Sequence, residues 1–429
     1  MIATRVELTI DRLGQRGEGI ARGPHGQVFV AHALPGELIL AEVDGERGLL
    51  VDVLKPSPDR VAPFCVHYGV CGGCAIQILA LPAYSDWKRG LLTEALARAG
   101  LTTNVAPLIE AHGKGRRRAT FHARFEKDPV ERLRMTVGFM RARAHDIVDI
   151  EACPILEPEM AGAPSLARAF ARTLSPLMKP LDIVVTATTG GFDVDIRGVG
   201  ALNAEQRAAL VAQAERLDIA RVSNHGDVVI ERRAPTLKMG RAFVAMPPGG
   251  FLQATLAGEN ALCELVLTAT KKAKRVADLF CGVGTFALRL AERSEVLAVE
   301  SDAASLLALE RAANFMAGSH GVSVERRDLH RRPLSRAELE NFDAVVFDPP
   351  RAGALEQAKS LAVSDVSVVV AVSCNIQTFV RDAAVLVEGG YEFSHVWPID
   401  QFKYSPHLEM VGEFRRRKAV SRRRASLLG

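Results

Sequence analysis

The chain has 429 residues, is 48% hydrophobic and 24% charged, and carries a net charge of +4. That length implies two or three domains and that balance implies packed cores, which excludes wholesale disorder. No apolar run approaches the ~18–20 residues of a membrane span. Arg5, Glu7 and Asp11 interrupt any secretory leader, and seven cysteines do not read as a disulfide framework, so the cytoplasm is the expected compartment.

Residues 1–56 read as a small β unit. Short runs at 6–10, 27–30, 37–40 and 49–53 are apolar or alternating, and glycines from Gly14 to Gly48 punctuate them. Several short strands in so small a unit predict a barrel of oligonucleotide-binding type. Pro56 and Pro58 then mark a linker. A helix is expected over 84–98, where Trp87, Leu91, Leu92, Ala95 and Leu96 recur at helical spacing. The stretch 57–240 mixes strands (135–139, 183–187, 193–196) with helices (165–174, 205–217), which reads as a central α+β domain. Residues 241–429 change character. Apolar strands at 276–280, 296–300, 344–347 and 366–372 alternate with helices, as in a parallel sheet covered on both faces, and 396–414 supplies a closing antiparallel pair.

Two basic clusters stand out. Lys114, Arg116, Arg117 and Arg118 form one in mid-chain. Seven Lys and Arg without an acidic residue, between Arg415 and Arg424, form the other. Either is the footprint of a nucleic acid or other anionic partner, or simply a solvated segment. Nothing in the chain requires a protein partner or a membrane.

The chemistry-bearing motifs sit where the last sheet should end. Asp278-Leu-Phe280-Cys281-Gly282-Val-Gly284-Thr285 runs from a strand through a glycine turn toward a helix, and Glu300 closes the next strand. Such a turn admits a nucleotide close to the backbone, and Gly-x-Gly-x-x-Ala is also a variant of the dinucleotide fingerprint. A carboxylate at Asp278 would repel a pyrophosphate but suits the cationic S-adenosylmethionine. Asp348-Pro-Pro-Arg351 follows the strand at 344–347; amine methyltransferases usually carry an aromatic where Arg351 stands, which disfavours amine methylation. Cys374, in Ser373-Cys374-Asn375, is a candidate nucleophile, with Cys281 as competitor. Glu409, in His407-Leu-Glu409, is a lone carboxylate in an apolar strand and a candidate proton acceptor. Upstream, Cys65, Cys71 and Cys74 with the remote Cys153 make four thiols able to hold zinc or an iron–sulfur cluster. The Cys153-Pro154 pair favours a [4Fe–4S] cluster.

Together these motifs, in this order and across nearly the whole chain, resemble the bacterial RNA 5-methyluridine methyltransferases, in particular the iron–sulfur 23S ribosomal RNA (uracil-5-)-methyltransferases. The resemblance implies an α/β fold whose C-terminal part is a class I (Rossmann-like) S-adenosylmethionine-dependent methyltransferase domain, with an N-terminal OB-like TRAM barrel and a central α+β domain. It further implies that Cys374 is the nucleophile and Glu409 the base. Gln253, Phe280, Thr285, Glu300 and Asp348 would contact S-adenosylmethionine, and Cys65, Cys71, Cys74 and Cys153 would hold the [4Fe–4S] cluster. The substrate implied is uridine C5 in RNA, ribosomal RNA before transfer RNA. Three positions depart from the family pattern: Thr255, the stretch from Asn314 to Gly318, and Asn375-Ile376-Gln377. A nicotinamide-dependent oxidoreductase and a non-catalytic RNA-binding protein are the alternatives.

Overall fold

The computed structural model describes residues 4–23, 25–128 and 130–416. Most of the basic C-terminal tail lies outside the described residues. No helix among the described residues is long and apolar enough to cross a membrane.

Five strands, Thr4–Leu13, Gly19–Gly23, Gly26–Val30, Leu38–Asp44 and Arg47–Lys55, close into a barrel around Leu8, Ile10, Val28, Val30 and Ile39. Gly19–Gly23 was not among the strands expected from sequence, because its glycines read as turn. They are needed inside the barrel: a Cβ on Gly19 would come within 2.8 Å of the Ala33 carbonyl.

The second unit is a seven-stranded sheet backed by the helices Ala163–Leu174 and Ala204–Arg216. Its long strand Arg118–Lys127 begins in the mid-chain basic cluster and pairs with both Leu133–Met140 and Leu181–Thr188. Asn203 caps the second helix in a reciprocal box with Gln206, satisfying amides that would otherwise lack partners.

The third sheet has nine strands. Its parallel core runs in spatial order Val322–Arg326, Glu295–Glu300, Arg275–Leu279, Ala344–Phe347, Val368–Ser373, followed by the antiparallel pair Glu409–Arg416 and Tyr391–Asp400. The central strands are buried on both faces: in Ala344–Phe347, Ala344 and Val346 enter one core cluster, Val345 and Phe347 the other. The order reverses beside Arg275–Leu279, and ligands of such sheets bind outside the strand C-termini at that reversal.

The sheet does not respect a boundary at residue 240. Asn104–Val105 and Ile109–Glu110, which the sequence places in the central domain, pair in parallel with Tyr391–Asp400 at its far edge. Strands of two residues carry no readable periodicity, and their partners lie at the other end of the chain.

The helix Leu81–Arg98 starts earlier than expected, with Pro82 in its first turn, where a missing N–H is harmless. Its buried positions are Tyr84, Lys88, Leu92, Ala95 and Leu96. The buried face is thus rotated from the expected stripe to take in a lysine.

Candidate active site

The glycine turn after Arg275–Leu279 holds the backbone in left-handed conformations at Phe280, Gly282 and Gly284 (φ 58°, 53° and 94°). Phe280 is strained there, since L side chains disfavour this region. At Gly284 a Cβ would lie 2.3 Å from Leu309 Cδ1, so only glycine lets the helix behind the turn pack. At Gly282 a Cβ would meet nothing within 4 Å, and a ligand can approach the bare backbone. Glu300 ties the turn to the next strand. One oxygen accepts from the Gly282 amide at 3.2 Å; the other accepts from the Ser301 and Asp302 amides at 2.6 and 3.0 Å. Thr285 is half-buried, its carbonyl accepting from Arg289 at 2.8 Å.

Asp278 is fully buried, and neither carboxyl oxygen has a hydrogen-bond partner of good geometry. Burial, then the nearby Asp348 carboxylate, pushes its pKa well above the usual range. An orphaned buried carboxylate is costly to ionise unless a cation answers it. A ligand with ammonium and sulfonium groups fits this site. The folded state thus holds the proton more tightly than the unfolded chain, so stability contributed by protonated Asp278 falls as pH rises above its unfolded value. Asp278→Asn is therefore expected to raise the melting temperature of the ligand-free protein at neutral pH while abolishing S-adenosylmethionine binding, read by thermal denaturation and calorimetry. A lower melting temperature would mean that the carboxylate is answered within the protein.

Along the sheet edge the other predicted residues converge. Gln253, buried, donates from Nε2 to Asp348 Oδ2 at 3.2 Å, while Phe251 two residues before it is exposed. Cys374 follows the strand Val368–Ser373, and Glu409 opens its antiparallel neighbour Glu409–Arg416. The ladder between them ends at Ser373–Met410, with Cys374 the next residue on one side and Glu409 on the other, and the thiol senses that carboxylate. Cys374 is half-buried and immediately precedes Asn375, the cap of helix Ile376–Glu388. A helix N-terminus should favour a thiolate, but burial dominates. With the Glu409 and Asp348 carboxylates it pushes the thiol up to about 11, against a downward pull from Arg351. Burial and Asp348 lift Glu409 to about 8, and burial lifts Asp348 to about 7, so this pair titrates as a unit. Cys281 is buried within the glycine turn, beside Asp278 and Glu300.

A cavity of about 270 Å³ opens at Cys374, lined also by Arg351, His407, Leu91 and, from the barrel, Gln15 and Arg16. Arg16 also lines the groove of about 1060 Å³ between the barrel and helix Leu81–Arg98.

Three networks were not visible in sequence. Glu259, buried at the start of helix Leu256–Ala269, binds Arg117 and, at 2.6 Å, Arg289. Arg117 also donates to the Gln253 carbonyl at 3.1 Å. Lys88 and Tyr84, both buried, hold Asp400, the Tyr84 hydroxyl at 2.7 Å. Burial pulls Lys88 down to about 8 despite the lift from Asp400. Thr255 caps Leu256–Ala269 and donates to the Ala111 carbonyl at 2.6 Å.

Three arginines of the basic clusters are tied into the fold. Arg117 is buried in an ion pair, and Arg118 donates to Thr186 and to the Gly250 carbonyl. Arg416 lies over the Tyr391 ring at 4.0 Å and donates to the Leu361 and Ala362 carbonyls. These three arginines join elements of the fold, while Lys114 is exposed and the C-terminal cluster beyond Arg416 lies outside the described residues.

The four upstream thiols are all half-buried and unbridged, and all line one cavity of about 800 Å³. They sense one another electrostatically: Cys74 faces Cys153 and Cys71, and Cys153 faces Cys65 and Cys71. The Gly73 amide donates to Cys71 Sγ at 3.4 Å. Among the described residues no group of three or more His, Cys, Asp or Glu is arranged to hold a metal ion, these thiols included.

Comparison with known proteins decides the family. The tRNA (uracil-5-)-methyltransferase family matches residues 236–417. A 23S rRNA (uracil(1939)-C(5))-methyltransferase of Chromohalobacter salexigens is 33% identical, over 95% of this chain and 89% of that protein. The chain belongs to the RNA (uracil-5-)-methyltransferase family. An uncharacterised RNA methyltransferase of Brucella suis is 46% identical over 94% of this chain and 96% of its own. The solved tRNA (uracil-54, C5)-methyltransferase of Pyrococcus abyssi shares the fold over 96% of this chain and 100% of that one, with a TM-score of 0.72 and 22% identity.

An RNA uracil methyltransferase uses S-adenosylmethionine, and the orphaned Asp278 beside an open glycine turn is what such a cationic donor requires. The nicotinamide reading falls with the family.

Proposed function

We propose that this enzyme methylates C5 of a uridine in RNA through a covalent adduct between Cys374 and C6, with Glu409 as the base. The observation that carries the reading is that the Cys374 thiol senses the Glu409 carboxylate at the C-terminal edge of the sheet, where the Ser373–Met410 pair ends the ladder between their chains. Uracil C5 is too weakly nucleophilic to react unaided. After its proton has gone to solvent, Cys374 forms an S–C6 bond and the C5=C6 pair moves onto C5 and O4 as an enolate. With S-adenosylmethionine held near Gln253, Phe280, Thr285, Glu300 and Asp348 and Asp278 beneath, C5 bonds to its methyl carbon as the methyl–sulfur bond breaks, and S-adenosylhomocysteine leaves with that electron pair. Glu409 then receives the C5 proton, the C–H pair re-forms C5=C6, and the C6–S bond breaks to free Cys374.

A base must leave its stack to enter a cavity of this kind, so the substrate is unpaired or loop RNA. The path favoured is the groove beside the barrel, read here as a TRAM domain, because Arg16 lines both the groove and the cavity at Cys374. Phosphate contacts there would position RNA without choosing the base. Ribosomal RNA is favoured over transfer RNA by the 33% identical relative. Purified protein with labelled S-adenosylmethionine and unmodified ribosomal or transfer RNA transcripts tests this. Nucleoside analysis should show 5-methyluridine from ribosomal RNA; label on any other atom overturns the chemistry, and label in transfer RNA alone overturns the target.

We further propose that Cys65, Cys71, Cys74 and Cys153 hold a [4Fe–4S] cluster. A cubane separates its thiolates more widely than a single ion does, and N–H donors to sulfur, as from Gly73, are usual around such clusters. Its role is to hold the loop around Cys74, where the Ala75 amide donates to the Tyr404 carbonyl at 2.7 Å and so reaches the loop before Glu409. Protein purified without oxygen should be brown, with about four iron and four sulfide per chain. Stoichiometric zinc without sulfide would overturn the assignment.

A further inference from the structure

We propose that Gln401 is a positioning residue for Glu409: it holds one carboxylate oxygen, leaves the other as the proton acceptor, and ties the base to the Gln253–Asp348 pair. This rests on the reading of Glu409 as the base. Gln401 is fully buried just beyond the strand Tyr391–Asp400, whose end is held by Lys88 and Tyr84 through Asp400. Its Nε2 donates to Gln253 Oε1 at 2.7 Å and to Glu409 Oε1 at 3.1 Å. A primary amide nitrogen carries two hydrogens, so both are used. Gln253 Nε2 in turn donates to Asp348 Oδ2. The result is one chain of hydrogen bonds, Asp348–Gln253–Gln401–Glu409, with a fixed polarity. Turning the Gln401 amide over would set its carbonyl against two other acceptors.

The chain leaves two buried atoms without a partner, Gln401 Oε1 and Glu409 Oε2. Glu409 Oε2 is buried and has no partner, which makes it the atom of that carboxylate free to take a proton. Every charged or polar group that faces Glu409 can be assigned a sign. Asp348, from the loop after Ala344–Phe347, disfavours its ionisation; Arg351 of the same loop and Gln401 favour it. Cys374 faces it from the adjoining strand end. Without the Gln401 donor, Glu409 must keep its proton to higher pH and is then unable to receive one from C5.

Gln401→Met keeps the length and removes the donor. The acidic limb of the pH–rate profile is expected to move up by about one pH unit, with turnover at pH 7 falling roughly tenfold and recovering at higher pH. The covalent protein–RNA adduct should accumulate, while S-adenosylmethionine affinity, read by calorimetry, changes less than threefold. Gly258→Ala is an independent probe, because a Cβ there would lie 2.6 Å from Gln401 Oε1 and displace the amide. It should move the same limb in the same direction, and thermal melting reports whether either variant is folded. An even loss of turnover at all pH values, or an unmoved limb in both variants, overturns the proposal. Wild-type enzyme that makes no 5-methyluridine would instead overturn the assignment of the reaction.

Discussion

Replacing Glu409 by Gln is expected to leave the enzyme bonded to its own methylated product. The variant keeps the nucleophile and the methyl-donor site, so the S–C6 bond forms and the methyl group is transferred. No group then accepts the C5 proton, and Cys374 cannot leave. Multiple turnover should fall on the order of 10²–10⁴-fold, while a denaturing gel shows a labelled, RNase-sensitive protein–RNA band. Cys374→Ala should form neither product nor band. The same substitution makes a stability prediction of opposite sign. Glu409 is lifted to about 8 in the fold from 4.5, so between those values the folded protein binds more protons than the unfolded chain, and stability declines as pH rises. Glu409→Gln removes that decline and should melt above the wild type at pH 8, with the two converging near pH 4.5. A labelled adduct that forms equally in Cys374→Ala, or in Cys374→Ala but not in Cys281→Ala, would reassign the nucleophile.

Glu259→Ala should produce the largest loss of stability. Glu259 has no solvent exposure, and its two partners, Arg117 and Arg289, are nearly as buried. Removing the carboxylate strands two guanidinium groups away from water, at a cost of about 3–5 kcal/mol. That corresponds to a fall in melting temperature of roughly 10 °C for a cooperative unit of this size. Because Arg117 also holds the Gln253 carbonyl, S-adenosylmethionine binding should weaken in the same variant at temperatures where it is folded. Glu259→Gln, which keeps the shape and one acceptor, should lie between. A melting temperature unchanged within a degree or two would show that water reaches the arginines.

The motifs at strand ends were legible because a parallel sheet puts its chemistry there: Asp278, Glu300, Asp348 and Cys374 each follow an apolar run that reads as a strand. Pairings across the chain were not legible. Arg117 with Glu259, Gln401 with Gln253, and Lys88 with Asp400 join residues whose local surroundings look like ordinary loops and helix faces. A lysine within an apolar helix stripe reads as solvent-facing until its distant aspartate is known. The role of Arg416 was hidden for the same reason, since charge density in sequence does not show which guanidinium caps carbonyls on another helix. The thiol of Cys374 shows how magnitude decides: burial, which outweighs the helix terminus beside it, belongs to the fold and not to the local sequence.

The parallel pairing of Asn104–Val105 with Tyr391–Asp400 sets an order of events during synthesis. These residues leave the ribosome early, yet their partner strand is among the last parts of the chain to be made. Until then the catalytic sheet lacks its outer edge and the early segment has nothing to pair with. A gene fragment encoding only the C-terminal part would produce a sheet with an open strand edge, a ready template for intermolecular pairing. This methyltransferase domain is therefore not a cassette that recombination can lift out whole, and truncations starting near residue 240 should aggregate where those starting before residue 104 do not.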